Sequence, residues 1–153
     1  MSELGQTRGS PEADPLVAWL ASVSGDPLAF VMGAFPWGQV GSRLEQAEGP
    51  EPWQIRTLEK IRTGLITLDE AIQLAAASGH GVGKSALVAW LILWGMSTFP
   101  NTRGVVTANT ETQLKTKTWV ELGKWFHMFI AKDSFELTAT ALFARSAAED
   151  WRF

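Results

Sequence analysis

The sequence predicts an α/β fold in which a partial parallel sheet is flanked by helices and preceded by a helical N-terminal arm. A short apolar segment, residues 72–77, leads into a glycine-rich loop, and a helix that is apolar on nearly every side follows the loop. A second apolar segment, residues 104–109, comes next. Alternation of strand and helix is typical of parallel sheets, because the connecting helices cover the faces of the sheet.

Length and composition are those of a globular domain. The chain has 153 residues, of which 46% are hydrophobic and 19% are charged. It contains no cysteine, which excludes a disulfide framework, a thiolate metal site and a cysteine nucleophile. The formal net charge of -3 gives no sign of a strongly basic nucleic-acid module.

We expect a soluble protein that does not enter a membrane. The first residues, MSELGQTRGSPEAD, are polar and lack the apolar core of a secretory signal. The longest apolar run, residues 86–94, is far shorter than the roughly 20 residues that a membrane-spanning helix needs.

The chain divides near residue 50. Residues 1–50 are predicted to form an arm and linker, since six of the seven prolines lie in the first 52 residues. Asp14 and Asp26 each precede a proline, which is the arrangement of a helix N-cap followed by proline at the first helical position. Two helices are therefore predicted in the arm, over residues 15–23 and 26–35.

Residues 51–153 are predicted to form the second unit. Its first apolar segment is ambiguous: the alanines favour a helix, whereas the position before a glycine loop favours a buried strand, and we follow the position. Thr110 and Gln113 match a capping box at the start of a long helix. The predicted elements are a helix over 53–64, a strand over 72–77, a helix over 84–97, a strand over 104–109, a helix over 110–130 and one or two strands within 134–145.

The loop SGHGVGKS, residues 78–85, is the sharpest motif. It matches the phosphate-binding pattern G-x-x-x-x-G-K-[ST] except at its first position, which is Ser78. Its glycines let successive backbone N–H groups point inward as a nest for phosphate oxygens. The start of the next helix adds free N–H groups and partial positive charge, which favour an anion. The motif in this context predicts a P-loop NTPase.

Each residue of the loop is a candidate ligand for the phosphates of ATP. Lys84 would reach the β- and γ-phosphates as the catalytic cation, and the Ser85 hydroxyl would hold Mg²⁺. His80 either lines the nucleotide site or is a solvent-exposed filler of the loop. The full candidate set is Ser78, Gly79, His80, Gly81, Val82, Gly83, Lys84 and Ser85.

Gln54 is a second candidate, because a glutamine amide offers both the donor and the acceptor that recognise an adenine edge. The alternative is that Gln54 is a polar residue on an amphipathic helix, and the residues alone favour that interpretation. Thr107 and Asn109 end the second predicted strand, where ligands lie in open α/β sheets. Three lysines on the last helix form either a basic face for DNA or a solvated face, and the second is simpler; they are Lys115, Lys117 and Lys124.

Four segments form a combination that is more specific than the loop alone. They are DPLAFVMGAFPWG (26–38), EPWQIRTL (51–58), SGHGVGKSALVAWLILW (78–94) and VVTANTETQLKTKTWVELGKW (105–125). This combination resembles the N-terminal ATPase domain of the large terminase subunit, the DNA-packaging motor of tailed bacteriophages. In order, the segments resemble the family's N-terminal segment, its adenine-binding glutamine motif, its phosphate loop with the following helix, and its next strand and helix.

The resemblance implies that Gln54 contacts adenine and that residues 78–85 wrap the phosphates, with Lys84 at the γ-phosphate and Ser85 at Mg²⁺. It implies a phage or prophage motor in the cytoplasm of the bacterial host, which hydrolyses ATP to push double-stranded DNA into a capsid. The implied protein partners are the portal protein, the small terminase subunit and other copies of the motor.

The chain departs from the family where hydrolysis is concerned. Phosphoryl transfer needs one carboxylate for Mg²⁺ and another to activate water, and the family supplies them as the Asp-Glu that ends an apolar strand. Here Glu149 and Asp150 follow no apolar strand, and Asp69 and Glu70 precede the loop. Residues 51–153 are thus predicted to be an incomplete ATPase domain, without the nuclease, that forms part of a longer motor. By itself the chain is expected to bind Mg-ATP weakly and to hydrolyse it little or not at all. The alternatives are a fragment of a P-loop DNA helicase and a non-hydrolysing nucleotide-binding remnant.

Overall fold

The computed structural model describes residues 14–67, 71–75 and 83–153. Over these residues the fold is mostly helical, so the predicted α/β P-loop NTPase fold with a parallel sheet is wrong. The helices are α1 (Pro15–Ser22), α2 (Pro27–Ala34), α3 (Pro52–Gly64), α4 (Lys84–Thr98), α5 (Glu111–Gln113) and α6 (Trp119–Met128). The strands are β1 (Phe135–Leu137) and β2 (Leu142–Ala144), which follow a 3₁₀ turn at Lys132–Ser134.

The sheet of the described residues is a two-stranded antiparallel hairpin. Phe135 of β1 lies opposite Ala144 of β2, and Leu137 lies opposite Leu142. The backbone of Phe153 exchanges two hydrogen bonds with that of Leu142, at 2.9 and 2.7 Å, and so lies against the other edge of β2. The prediction of one or two strands within residues 134–145 is confirmed as two.

The two segments predicted as buried parallel strands do not form strands where the structure describes them. Parallel strands are covered on both faces, but Leu74 is 47% exposed and Val105 is 81% exposed. At the start of the second segment, the N–H of Gly104 donates to the carbonyl oxygen of Arg152 at 3.3 Å, and Arg152 lies outside the two strands. Residues 76–77 lie outside the described residues. Apolar character predicted burial, but the described residues of the two segments, 72–75 and 104–109, do not lie in strands.

The helix starts follow local sequence signals. Oδ1 of Asp14 accepts the N–H of Leu16 at 2.9 Å, and Oδ1 of Asp26 accepts the N–H of Ala29 at 3.0 Å. Each cap is followed by proline, whose missing N–H would have no partner in a first turn. The helices predicted over 15–23, 26–35, 53–64 and 84–97 are confirmed to within one residue at each end.

The long helix predicted over residues 110–130 is present in three parts. A π-helical turn, Leu114–Thr118, joins α5 to α6. The wider turn inserts a residue into the helical repeat and rotates the side chains that follow it. The helix ends at Met128, two residues before the predicted end.

The core lies around α4, where the arm and the second unit pack against each other. Trp90 of α4 contacts Trp37 of the arm and Trp125 of α6, with ring centroids 5.9 and 5.0 Å apart. Phe35 joins this aromatic cluster through Trp125, at 5.0 Å. Burial of several large rings in one place is a main source of stability for a chain of this size. The arm therefore supplies part of the core that holds α4.

α4 is apolar on nearly all sides because neighbours cover it on nearly all sides. Ten of its 15 residues are buried, and α1, α2 and α6 all contact it. This burial confirms the buried helix that was predicted after the glycine loop.

Within the part of the chain that the structure describes, no helix is both long enough and apolar enough to cross a membrane.

Candidate phosphate-binding site

The structure describes the last three residues of the predicted phosphate loop. Gly83 is the N-cap of α4, and Lys84 and Ser85 are its first two residues. The lysine and serine thus occupy the helix start that the motif predicts for them. The rest of the loop lies outside the described residues: Ser78, Gly79, His80, Gly81 and Val82.

Gly83 occupies a position that only glycine fits. Its φ of 81° and ψ of 19° are left-handed, a conformation that side chains with a Cβ rarely adopt. A Cβ added to Gly83 would also lie 2.7 Å from Nε2 of Gln54. The third glycine of the motif is therefore required both by the backbone turn into α4 and by the approach of Gln54.

Gln54 joins the start of α3 to the start of α4. Its Nε2 donates a hydrogen bond to the carbonyl oxygen of Gly83 at 2.9 Å. Its Oε1 accepts the backbone N–H of Glu51, the N-cap of α3, at 2.7 Å. Gln54 is 3% exposed. Two residues that the sequence analysis assigned to one nucleotide site, 29 positions apart, are thus in direct contact.

The start of α4 is a favourable place for an anion. The first N–H groups of a helix lack partners within it and carry partial positive charge. The N-terminus of this 15-residue helix carries the cationic Lys84, and the side chain of Ser85 is exposed to solvent. A phosphate at this end would meet backbone donors, an ammonium group and a hydroxyl.

A cleft of about 340 Å³ lies beside Lys84, between α3 and α4. α3 lines it with Thr57 and Lys60, and α4 lines it with Lys84 and three apolar side chains, those of Leu87, Val88 and Leu91. Lys60 was not among the residues predicted for the site, because it lies 24 positions before Lys84 and only the folded chain places both side chains at this cleft. Two ammonium groups at one cleft raise the local positive potential, which favours a negatively charged ligand.

The structure does not support Thr107 and Asn109 as ligand-binding residues. Thr107 and Asn109 were expected to face a ligand because they end a strand, and residues 104–109 do not form a strand. Oγ1 of Thr110 accepts the N–H of Gln113 at 3.1 Å. The capping role expected of Thr110 is confirmed.

The lysines of the last helix lie on a solvated surface. Nζ of Lys115 lies 2.6 Å from Oε1 of Glu111, and Nζ of Lys124 lies 3.3 Å from Oε1 of Glu121. The hydrogen bond from Lys115, together with its charge, holds the pKa of Glu111 below its ordinary value. Intrahelical pairs at these spacings are usual on exposed helices.

No cluster of three or more acidic or histidine side chains that could hold a metal is found over residues 14–67, 71–75 and 83–153. Asp150, one of the two carboxylates near the end of the chain, lies at the surface and accepts a hydrogen bond from Nη2 of Arg103 at 2.6 Å. Asp69 and Glu70 lie outside the described residues. Ser85 therefore stays the one Mg²⁺ ligand that the sequence motif predicts.

The relationship to known proteins rests on the sequence motifs. No protein-family model, curated protein or solved structure matches this chain. The resemblance to the large terminase subunit accordingly stays a prediction. The contact between Gln54 and Gly83 is the structural feature that bears most directly on the site which this resemblance implies.

Proposed function

We propose that this chain binds Mg-ATP at the start of α4 and is the ATP-binding part of a phage or prophage terminase large subunit. The observation that supports binding is the 2.9 Å hydrogen bond from Gln54 to Gly83. It joins the glutamine motif to the phosphate loop, two features of a nucleotide site that lie far apart in the sequence. The proposal depends on this local site and on the motifs, and not on a parallel sheet.

The phosphates would be bound by the end of the loop and the first turn of α4. Gly83 turns the chain so that the helix begins directly after the glycine loop, where its N–H groups favour an anion. Lys84 would supply the positive charge at the β- and γ-phosphates. Mg²⁺ prefers oxygen ligands and keeps several waters, so the exposed hydroxyl of Ser85 and the phosphate oxygens form a suitable donor set.

The wider function follows from the resemblance alone. In a packaging motor, ATP bound here would drive double-stranded DNA through the portal, in concert with the small terminase subunit and other motor subunits. Sequencing the source DNA downstream of the Phe153 codon would distinguish a terminase from a helicase. An encoded apolar strand ending in Asp-Glu, followed by an acidic nuclease cluster, would support the terminase. Encoded helicase motifs would instead favour the alternative, a fragment of a P-loop DNA helicase.

ATP binding is tested by calorimetric titration of the wild-type chain and two lysine variants with Mg-ATP. Lys84→Ala removes a charge-assisted contact, so we expect the affinity to fall by at least about tenfold. Lys117→Ala removes an equal charge from the exposed π-helical turn, and its affinity should stay close to that of the wild type. A wild-type chain that binds no ATP, or equal binding by Lys84→Ala, would contradict the proposal.

A further inference from the structure

We propose that Gln54 is a positioning residue for the phosphate-binding backbone and does not recognise the nucleotide base. This inference rests on the proposed ATP binding and assigns Gln54 a role different from the adenine contact that the sequence resemblance implies. Three features of the structure carry it: the burial of the side chain, the partners of its amide, and the geometry of the peptide that it holds.

The burial of Gln54 places its amide out of reach of a base. The residue is 3% exposed, and its two ends contact backbone groups of Glu51 and Gly83 at 2.7 and 2.9 Å. An adenine edge needs an exposed donor and acceptor side by side in one plane. To offer them, Gln54 would have to leave both of its present partners, at the cost of leaving buried polar groups unpaired.

The Gly83 carbonyl is held from two directions. It accepts one hydrogen bond from Nε2 of Gln54 and another from the backbone N–H of Leu87, at 3.1 Å. A carbonyl oxygen has two lone pairs, so these contacts use both. The Leu87 bond is an ordinary helical bond, whereas the Gln54 bond ties the carbonyl to a different helix.

Fixing this carbonyl also fixes the next N–H group. The carbonyl of Gly83 and the N–H of Lys84 belong to one planar peptide, and the two bonds of a trans peptide point in opposite directions. The described residues contain no cis peptide. By holding the carbonyl from the side of α3, Gln54 reinforces the helical bond from Leu87 and restrains the direction of the first N–H of α4, which would donate to a phosphate at the helix start.

The test compares three ligands that share phosphates but differ in the base: Mg-ATP, Mg-GTP and Mg-tripolyphosphate. Gln54→Met preserves the length of the side chain and removes both hydrogen bonds. We expect it to weaken all three ligands by a similar factor, about tenfold, since each loses the same oriented backbone donor. The ratio of the ATP and GTP affinities should not change.

Asp26→Ala controls for a general loss of stability. Asp26 caps α2 and pairs with Arg62, near the end of α3 opposite to Gln54. The variant should lower the melting temperature while leaving the three affinities within about twofold of wild type, since it removes a cap of moderate worth. Asp26 lies near Trp94 in the second half of α4, where both donate to the Val23 carbonyl, and not at the start of that helix. A similar loss of affinity in Asp26→Ala would show that the effect of Gln54→Met reflects stability and would overturn the proposal.

The other possible results of the ligand titrations would also contradict the positioning role of Gln54. If Gln54→Met weakens ATP but leaves GTP and tripolyphosphate unchanged, Gln54 recognises adenine and the proposal is wrong. If all three affinities are unchanged, the hydrogen bond to Gly83 does not position the phosphate site, and the proposal is also wrong. A wild-type chain that binds none of the three ligands overturns the proposed function and this inference with it.

Discussion

Asp26 and Arg62 connect the start of α2 to the end of α3, with Nη1 of Arg62 lying 3.2 Å from Oδ2 of Asp26. The other carboxylate oxygen of Asp26, Oδ1, accepts the N–H of Ala29 and caps α2. One side chain therefore makes an ion pair and a helix cap through separate atoms. The Arg62 side chain is 47% exposed, so solvent screens the ion pair and the cap is the stronger contact.

Substitutions at Asp26 should separate these two contacts. Asp26→Asn retains an acceptor for the cap and removes the charge, so we expect it to lower the free energy of unfolding by less than about 1 kcal/mol. Asp26→Ala removes both contacts and should lower it by about 1–2 kcal/mol. Urea unfolding followed by tryptophan fluorescence measures both values. Equal losses in the two variants would mean that the ion pair outweighs the cap.

Gly83 and Gly95 should respond in opposite ways to alanine. Gly83→Ala places a Cβ in the left-handed region and against Gln54, so it should lower the free energy of unfolding by about 1–3 kcal/mol and weaken ATP binding. Gly95 lies inside α4, and nothing lies within 4 Å of an added Cβ. Gly95→Ala should raise the free energy of unfolding by up to about 1 kcal/mol, because alanine favours the helix. Equal effects on unfolding would contradict the strained conformation of Gly83.

Trp90 and Trp94 are both buried in α4 but differ in their hydrogen bonding. Nε1 of Trp94 donates to the carbonyl of Val23 at 3.2 Å, which ties α4 to the end of α1. Nε1 of Trp90 has no hydrogen-bond partner among the residues that the structure describes. Replacement by phenylalanine removes similar volume at both sites, so the packing loss is comparable.

The difference between the two phenylalanine variants should therefore report the hydrogen bond. Trp94→Phe removes this bond and leaves the Val23 carbonyl with the backbone N–H of Asp26, at 3.1 Å, as its partner. The variant should be less stable than Trp90→Phe by about 0.5–1.5 kcal/mol, the net worth of one hydrogen bond. Thermal and urea unfolding of the two variants measure this difference. A larger loss in Trp90→Phe would indicate that its indole N–H makes a favourable contact in the aromatic cluster.

Sequence signals next to each helix predicted the helices, whereas the predicted parallel sheet required strands that are distant in the sequence to pair. Asp14 and Asp26 cap helices from the adjacent residues, which is why the sequence locates those helices to within one residue. Residues 104–109 are apolar enough for a buried strand, but a strand exists only where another strand pairs with it, and a short apolar run does not specify that partner. The parallel sheet was inferred from a pattern, and the residues that the structure describes do not form it.

The candidate site shows the same division. The motif correctly placed Gly83, Lys84 and Ser85 at the start of a helix, because glycine-to-helix transitions are local. The contact of Gln54 with Gly83 spans 29 positions. The local sequence around Gln54 predicts only its other hydrogen bond. Gln54 lies three residues after the N-cap of α3, where a glutamine side chain accepts the backbone N–H of the N-cap residue.

The pKa of Glu111 offers a test of the solvated face on α5 and the π-helical turn. The hydrogen bond from Lys115, followed by its positive charge, lowers this pKa in the folded protein. A carboxyl group whose pKa falls on folding adds stability at pH values above its unfolded pKa. This stability is lost as the pH drops through the folded pKa, because the protonated group no longer binds the ammonium.

Lys115→Met should return the pKa of Glu111 towards the ordinary value for a glutamate. The variant removes both causes of the shift, and an NMR titration of the Glu111 side chain measures the result. Lys117→Met is the matched control, since Lys117 does not contribute to the shift and its removal should leave the titration of Glu111 unchanged. Added salt should move the wild-type pKa in the same direction as Lys115→Met, because an exposed pair is screened. A lowered pKa that persists in Lys115→Met would mean that another group, such as the start of α5, stabilises the carboxylate.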